Sequence, residues 1–467
     1  MWTKNCVIFL AFLVACGAYE VPETVKALGW HTLDFQQLPT PADMTSELSE
    51  DDFEDYLNFW LQKKMKLSLK NDIFQEDFQS RAPCTVNVNS LSDPQPVYVS
   101  GGTLLAPSDN SGNINFIDRQ LVTMACPGTT LFHTPTTSRP READLICTGG
   151  RLFLAPIWLP GTGPVDFSSV NCNSPSVFRE DSGISCADRG IVITVGLEVT
   201  SQIYTIITSC VDVVKVEVLY VEYDQAYNTK RAPAINPANY KQGNFFSSGL
   251  NLQTMYTNVS QKEAFDVILG SGSYDKYVSP YNFLTQGHLA AKADFVFSPA
   301  QTATFTFVNV APQWSMFNAG NWATLEEDLR NRIAAGHAKT KIYTGTFGIL
   351  QLRDKSSVAF LSNIYLLPTM KAMPVPLWFY KVVYEPLTGR ATAFLGLNNP
   401  HVTLAEADTY AWEVCPDQCA GNPAFSWLTW QNMNVTLGFS ICCNIADFRN
   451  TVKERLPAFT ANGGLFS

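Results

Sequence analysis

The fold is decided by residues 284–330, which read LTQGHLAAKADFVFSPAQTATFTFVNVAPQWSMFNAGNWATLEEDLR. Residues 322–335 (WATLEEDLRNRIAA) give the clearest α-helical pattern in the chain. Residues 303–310 (ATFTFVNV) are rich in β-branched and aromatic side chains and predict a β-strand. We therefore expect a strand to lead into a helix, with polar residues placed along both.

Strand-like segments surround this stretch and set the fold class. They are residues 201–209 (SQIYTIITS), 214–223 (VKVEVLYVEY), 358–367 (VAFLSNIYLL) and 377–385 (LWFYKVVYE). Together with the helix they predict an α+β unit over residues 201–467. Residues 83–200 alternate short apolar runs, as at 96–100, 150–155 and 190–195, with Gly, Pro, Asn and Ser clusters. This pattern predicts a separate all-β module.

The first 82 residues differ from the rest. Residues 6–15 (CVIFLAFLVA) are apolar and precede small residues, so residues 1–18 are typical of a secretory signal peptide. The run is about half of the roughly 20 residues that a spanning helix needs, and no later segment is long and apolar enough, so no membrane association is expected. Residues 19–82 contain an acidic, helix-favouring segment. Two interpretations stay open: a helical leader or propeptide, and an arm that packs on the body.

Cysteine number and charge agree with export. Ten cysteines remain after the signal segment, an even number that predicts up to five disulfides, paired within a group of six and a group of four. The net charge is −10, but residues 19–82 hold 13 acidic and 6 basic side chains. Residues 83–467 therefore carry a net charge of only −4, and a local basic cleft is compatible with this composition. The cysteines after the signal segment are Cys84, Cys126, Cys147, Cys172, Cys186, Cys210, Cys415, Cys419, Cys442 and Cys443.

Three residues of the deciding stretch suit the hydrolysis of a phosphodiester. That reaction needs a base to activate water and a cation to neutralise charge on the phosphate. His288 is a base able to work near neutral pH. Asn318 offers a hard carbonyl oxygen of the kind that Mg²⁺ accepts, and Arg330 a fixed positive fork for phosphate oxygens. If the helix begins near Asn318, then Asn318, Trp322, Glu326 and Arg330 lie on one face of it.

Several motifs at fixed separations resemble the DNA/RNA non-specific endonuclease family. They are residues 285–290 (TQGHLA), 308–313 (VNVAPQ), 317–322 (FNAGNW) and 325–330 (LEEDLR). The separations of His288 from Asn318 (30 residues), and of Asn318 from Glu326 (8) and Arg330 (12), also match the family. The chain is most similar to the arthropod branch of secreted nucleases, which includes double-strand-preferring enzymes. The resemblance covers residues 201–450 well and the β-module only loosely.

The resemblance implies a ββα-metal nuclease core, an antiparallel sheet with flanking helices, and a role for each matching residue. His288 resembles the general base and Asn318 the Mg²⁺ ligand, with Mn²⁺ as a substitute ion. Asn309 resembles the asparagine that supports the site, Glu326 the acid that orders water on the metal, and Arg330 the arginine that stabilises the phosphate. Arg231 is the best candidate for a second, upstream arginine.

One position departs from the family pattern. Gln286 stands where the family has an arginine before Gly-His, so a fixed positive charge is missing, although an amide still donates hydrogen bonds. We interpret this change as tuning rather than inactivation. Lys292 is a candidate for the missing charge, and a surface lysine is the alternative interpretation.

The resulting hypothesis is a secreted, Mg²⁺-dependent endonuclease that hydrolyses DNA and RNA, and no protein partner is evident from the sequence. One alternative is a catalytically weakened relative that acts as a secreted nucleic-acid-binding protein, and Gln286 is the feature in its favour. Another is a phosphodiesterase acting on small nucleotides, which would not cut a polymer internally. Together, His288, Asn318, Glu326 and Arg330 favour the enzyme.

Overall fold

The computed structural model describes residues 83–467, except residues 92, 135–138, 156–157, 159–162, 226–238, 337–338 and 355–359. The expected signal peptide, the acidic leader and Arg231 lie outside the described residues. Residues 81–467 form one compact unit. Among the described residues, no helix is long and apolar enough to cross a membrane.

The first part of the described chain is all-β, as the sequence predicts. We call residues 83–172 the N-terminal module. Buried Phe116, Phe153 and Phe167 form its own core, with ring centroids 4.9–5.7 Å apart. Its six-stranded sheet has the order Thr103–Leu104, Val97–Ser100, Leu121–Ala125, Glu142–Gly149, Leu152–Leu154, Val165–Asp166. Two strand pairs complete it: Cys84–Asn87 with Asn113–Phe116, and Leu131–Phe132 with Asn171–Cys172.

An eight-stranded sheet forms the centre of the second part, and we call it the central sheet. All of its neighbouring strands are antiparallel. Their order is Arg179–Ser185, Ile191–Val199, Gln202–Asp212, Glu217–Gln225, Thr340–Ile349, Pro376–Glu385, Arg390–Leu397, Ser440–Cys443. Two smaller strand pairs are Gln351–Arg353 with Leu361–Asn363, and Tyr365–Leu367 with Ala372–Pro374.

The expected domain boundary after residue 200 falls inside the central sheet. Thr200 and Ser201 have φ values of 50° and 60°, and they join Ile191–Val199 to Gln202–Asp212 as a tight hairpin turn. Such left-handed turns usually contain Asn or Gly, so Thr-Ser gives little sign of a hairpin in the sequence. Strand pairing therefore places the start of the second part of this compact unit near residue 179 rather than 201.

Helices cover both faces of the central sheet. Alternation along Pro376–Glu385 sends Phe379 and Val383 into one core, and Trp378, Tyr380 and Val382 into the opposite core. The helices Leu404–Trp412 and Ile445–Val452 contribute to the opposite core. The remaining α-helices of the described residues are Leu252–Met255, Asn258–Leu269, Tyr274–Tyr277, Ser298–Ala303, Ser315–Phe317 and Ala323–Gly336. The last of these, the site helix, matches the helix expected at residues 322–335.

The prediction of a strand at residues 303–310 is wrong. The helix Ser298–Ala303 ends there, Phe307–Asn309 form a 3-10 turn, and the strand is Val310–Trp314. Side chains compete with extended pairing at this place, because the Thr306 hydroxyl accepts from Val308 N at 3.4 Å and the Asn309 amide binds backbone groups elsewhere. The Val310–Trp314 strand pairs with Leu284–His288, and we call these two the strand pair.

Five disulfides join the ten cysteines within the two expected groups. The first group is Cys84–Cys147, Cys126–Cys172 and Cys186–Cys210, and the second is Cys415–Cys443 and Cys419–Cys442. Disulfides of this density are typical of chains that fold in an oxidising compartment.

Candidate active site

The strand pair presents His288 on a tightly packed backbone. His288 lies opposite Val310, and Gly287 lies opposite Ala311. A Cβ atom added at residue 287 would lie 2.6 Å from the Cβ atom of Gln313 and would contact its Oε1 still more closely. Glycine therefore precedes the histidine because the facing strand leaves no room for a side chain.

Asn309 fixes the backbone that follows His288. Its side chain is fully buried, with Oδ1 accepting from Ala290 N at 2.8 Å and Nδ2 donating to Ala290 O at 3.0 Å and Thr304 O at 2.9 Å. The Leu289 amide also donates to the Asn309 carbonyl at 2.9 Å. These four hydrogen bonds fit the supporting role that the sequence resemblance implies for Asn309.

His288 packs between two aromatic rings. Its ring centroid lies 4.8 Å from that of Phe305 and 5.4 Å from that of Tyr240, and its Nδ1 is 3.3 Å from the Tyr240 hydroxyl. Its Nε2 is enclosed by protein and has no hydrogen-bond partner among the described residues. Burial, with the nearby positive charge of Lys292, lowers the pKa of His288 to about 4. The imidazole is therefore neutral near pH 7, which is the state a general base requires.

Asn318 lies at the junction between the strand pair and the site helix. Its Nδ2 donates to the Thr285 hydroxyl at 3.3 Å, and its Oδ1 accepts no hydrogen bond from the described part of the chain. That oxygen is a hard ligand of the kind that Mg²⁺ and Mn²⁺ prefer, so Asn318 fits a divalent ion.

The helical face expected through Asn318, Trp322, Glu326 and Arg330 is interrupted at its start. Asn318–Trp322 form a π-helical turn in which Gly320 has non-helical φ and ψ values of −94° and −119°. A Cβ atom at residue 320 would lie 3.0 Å from the Leu437 side chain, so close packing accompanies the kink. Only Glu326 and Arg330 therefore lie on the regular site helix, whereas Asn318 and Trp322 belong to the π-helical turn before it. Trp322 is buried against Phe317 and Phe379.

Arg330 belongs to a buried polar network. Its Nη1 is 2.8 Å from Asp294 Oδ1, and the Tyr223 hydroxyl donates to the other oxygen of Asp294 at 2.5 Å. Lys381 Nζ then donates to Tyr223 Oη at 3.1 Å, to Thr344 Oγ1 at 2.9 Å and to Leu289 O at 3.2 Å. The guanidinium expected to bind phosphate is thus oriented by a carboxylate, and the same network reaches the residue after His288.

Glu326 is buried beside these charges. Burial raises its pKa, and the positive charges of Lys381 and Arg330 oppose that rise. Burial likewise lowers the pKa of Lys381, while Asp294 and Glu326 act in the other direction. Each buried charge therefore depends on the others for compensation.

Gln286 offers a free amide rather than a charge. It lies two residues before His288 and opposite Pro312, and its side chain makes no hydrogen bond to a described residue. Lys292 is the cation whose charge acts on His288, and its Nζ lies 6.0 Å from the centroid of the Phe305 ring. This placement is compatible with the expectation that Lys292 supplies the positive charge that Gln286 lacks.

Four further residues of the site are not evident from motif spacing. Lys381 could have been found from the sequence, because it is the one charged residue inside the apolar run 377–384. Asp294 lies within the deciding stretch, but nothing in the sequence shows that it pairs with Arg330. Tyr223 and Tyr240 could not have been found from any local pattern. Tyr223 lies 71 residues from its partner Asp294, and Tyr240 lies 48 residues from its partner His288.

A sequence model of one protein family matches the part of the chain that contains these residues. The model described as DNA/RNA non-specific endonuclease matches residues 192–448, which contain the strand pair, the site helix and Lys381. The chain belongs to this family. Its members hydrolyse nucleic acids and depend on a divalent metal ion, so the expected enzyme class, a nuclease, is confirmed.

Two insect proteins share parts of the sequence. A salivary endonuclease of Lutzomyia longipalpis is 29% identical over 303 residues, which are 62% of this chain and 68% of that protein. A salivary endonuclease of Culex quinquefasciatus is 32% identical over 142 residues, 30% of this chain and 32% of that protein. They confirm the expected similarity to the arthropod branch. The crystal structure of an EndoG/EndoGI complex is 17% identical, covers 41% of this chain and 71% of that chain, and has a TM-score of only 0.28.

We expect replacement of Lys292 by methionine to move the acid limb of the pH–rate profile to higher pH. Removing a nearby positive charge makes protonation of His288 easier and raises its pKa from about 4. The base is active when neutral, so activity is then lost at a higher pH as the solution is acidified. The measurement is kcat/KM against pH, and Lys262→Met on the exposed side of Asn258–Leu269 is the control. An unmoved limb would contradict the coupling.

Proposed function

We propose that the chain is a secreted, divalent-metal-dependent endonuclease that cuts DNA and RNA, with Mg²⁺ as the working ion. The observation that carries this proposal is that one strand, Leu284–His288, bears the neutral His288 at its end and contacts Asn318 through Thr285, within the region that matches the family. The strand pair followed by the site helix supports the ββα-metal core that the sequence resemblance implies.

His288 takes a proton from the attacking water, and the oxygen of that water forms the new bond to phosphorus. The P–O bond to the leaving oxygen breaks as the new bond forms, with inversion at phosphorus if the two oxygens are in line. The leaving oxygen takes a proton from solvent, and His288 releases its own proton to solvent and is neutral again. Asn318 would hold the metal, which supplies neutralisation of the negative charge on the phosphate and leaving oxygen when bound. Arg330, oriented by Asp294, and Lys292 add positive potential beside the phosphate.

Secretion is supported by three independent features. Residues 1–18 have the pattern of a signal peptide, the described chain contains five disulfides, and two relatives are named salivary endonucleases. We propose export from the cell on this combination.

The proposal predicts internal cleavage that a chelator abolishes. The full chain is incubated with closed circular DNA, single-stranded DNA, single-stranded RNA and double-stranded RNA, each with Mg²⁺ and with excess EDTA. Circular DNA has no ends, so its conversion to open and linear forms shows endonucleolytic cutting. Cleavage of small nucleotide diesters without cutting of any polymer would instead support a phosphodiesterase.

Two structural features favour the alternative of a weakened relative that binds nucleic acid without cutting it. Gln286 carries no charge, and one N–H of Arg330 is already occupied by Asp294. Salt-sensitive binding of the four polymers without cleavage in Mg²⁺ or Mn²⁺ would support this alternative and contradict the enzyme.

A further inference from the structure

We infer that Tyr240 is a positioning residue for His288: its hydroxyl oxygen accepts a hydrogen bond from Nδ1–H of the imidazole and leaves Nε2 as the nitrogen that takes the proton. The inference rests on the proposed role of His288 in cleavage. It concerns a residue outside the motifs that carry the family resemblance.

The backbone around Tyr240 is fixed in place. Lys241 N donates to Phe305 O at 3.0 Å, and Phe307 N donates to Lys241 O at 2.9 Å. The Lys241 ammonium donates to Phe178 O at 3.1 Å and lies 3.8 Å from the buried carboxylate of Glu180. Tyr240 is thus tied both to the loop that carries Phe305 and to the edge strand of the central sheet.

The tyrosine ring is held as firmly as its backbone. Its centroid lies 5.2 Å from that of Phe305, 5.7 Å from that of Phe307 and 5.4 Å from that of His288. Burial raises the pKa of Tyr240, so its hydroxyl stays neutral throughout the pH range of the reaction. A rigid, uncharged oxygen therefore stands 3.3 Å from Nδ1 of His288.

The tautomer follows from the bonds available to a neutral imidazole, which has one N–H and one lone pair. If the Tyr240 hydroxyl donated to Nδ1, Nε2 would carry the proton and neither nitrogen would be free to accept one from water. If Nδ1–H donates instead, the lone pair on Nε2 is free. Nε2 is enclosed and has no partner in the described part of the chain, and an unpaired buried atom of this kind suits a water or substrate group.

A hydroxyl partner also explains how the base is oriented without becoming too basic. A carboxylate at Nδ1 would favour the imidazolium and raise the pKa of His288, whereas a neutral oxygen orients the ring with a smaller effect. Apart from Tyr240, Lys292 is the described titratable group that acts on His288. Tyr240 therefore sets the orientation of the base, while burial, together with the positive charge of Lys292, keeps it neutral.

The test compares two tyrosines of the same aromatic cluster. Tyr240→Phe removes the hydroxyl and keeps the ring contacts. Tyr256→Phe is the matched control, because the Tyr256 ring stacks on Phe307 and its hydroxyl has no partner among the described residues. We expect Tyr240→Phe to lower kcat about 5- to 10-fold with KM unchanged, as for loss of one orienting hydrogen bond. We expect Tyr256→Phe to leave both constants unchanged.

A readout independent of activity is the ¹⁵N NMR spectrum of the histidines, in which the His288 signals are those lost in His288→Ala. We expect the Nδ1–H tautomer in the wild type and a mixture of tautomers in Tyr240→Phe. An Nε2–H tautomer in the wild type, or a Tyr240→Phe variant that matches the wild type in both tautomer and kcat, would overturn the inference. A wild type that cuts no polymer contradicts the proposed function instead, and the spectrum still decides the hydrogen bond.

Discussion

Replacement of His288 by alanine is expected to lower kcat for cleavage by about 10²- to 10⁴-fold, the usual contribution of a positioned general base. The residue is already neutral near pH 7, so the variant removes the proton acceptor and leaves the charge of the site nearly unchanged. KM is expected to change little, because the neutral imidazole carries no charge with which to attract the substrate.

The main competing explanation for such a loss is a damaged fold. Removing the ring leaves a gap between Tyr240 and Phe305, and a cost of about 1–3 kcal/mol in the free energy of unfolding is expected from lost packing. Thermal unfolding of the variant measures that cost directly. His133→Ala is the control, because His133 packs on Trp158 and contacts Ser169 within the N-terminal module. Cleavage by His288→Ala within tenfold of the wild type would refute the assignment of the base.

The sequence predicts those parts of the site that depend on residues close together in the chain. The site helix and the strand Pro376–Glu385 were expected to within two residues, because periodicity is a local property. The segment before Val310 was misread as a strand, since the decisive bonds are those of the Asn309 amide to Ala290 and Thr304. Ala290 lies 19 residues from Asn309, and no local pattern reports a bond of that span.

Contacts between residues far apart in the chain explain the other differences between the expected and the observed structure. The boundary after residue 200 was misplaced because strand order in a sheet is not local, and Cys186–Cys210 crosses that boundary. Motif spacing pointed to Arg330 but not to Asp294, which holds its guanidinium, and to His288 but not to Tyr240. The sequence thus predicts which groups are present, whereas the fold determines which partners orient them.

Replacement of Asn318 by alanine is expected to weaken metal binding and to reduce activity at low metal concentration. The variant removes the carbonyl oxygen that fits the ion, together with the weak contact to Thr285, and leaves the site helix otherwise intact. We expect the Mg²⁺ concentration at half-maximal activity to rise at least about tenfold, and kcat to fall about 10²-fold or more at saturation. Mn²⁺ bound per chain, counted by electron paramagnetic resonance, provides a measurement that does not depend on cleavage.

Asn321, three residues later, is the matched control. Its amide donates to Gln431 O at 2.9 Å and Gly438 O at 2.7 Å, and its Oδ1 accepts from Gln431 N at 2.9 Å. Asn321→Ala removes these bonds and is expected to lower the free energy of unfolding by about 2–3 kcal/mol. Below its melting temperature, however, the variant should bind Mn²⁺ like the wild type. Asn318→Ala should show the reverse, with nearly wild-type stability and weak Mn²⁺ binding. Equal Mn²⁺ affinity in both variants would mean that the ion is held by other residues, and the ligand assignment of Asn318 would then be wrong.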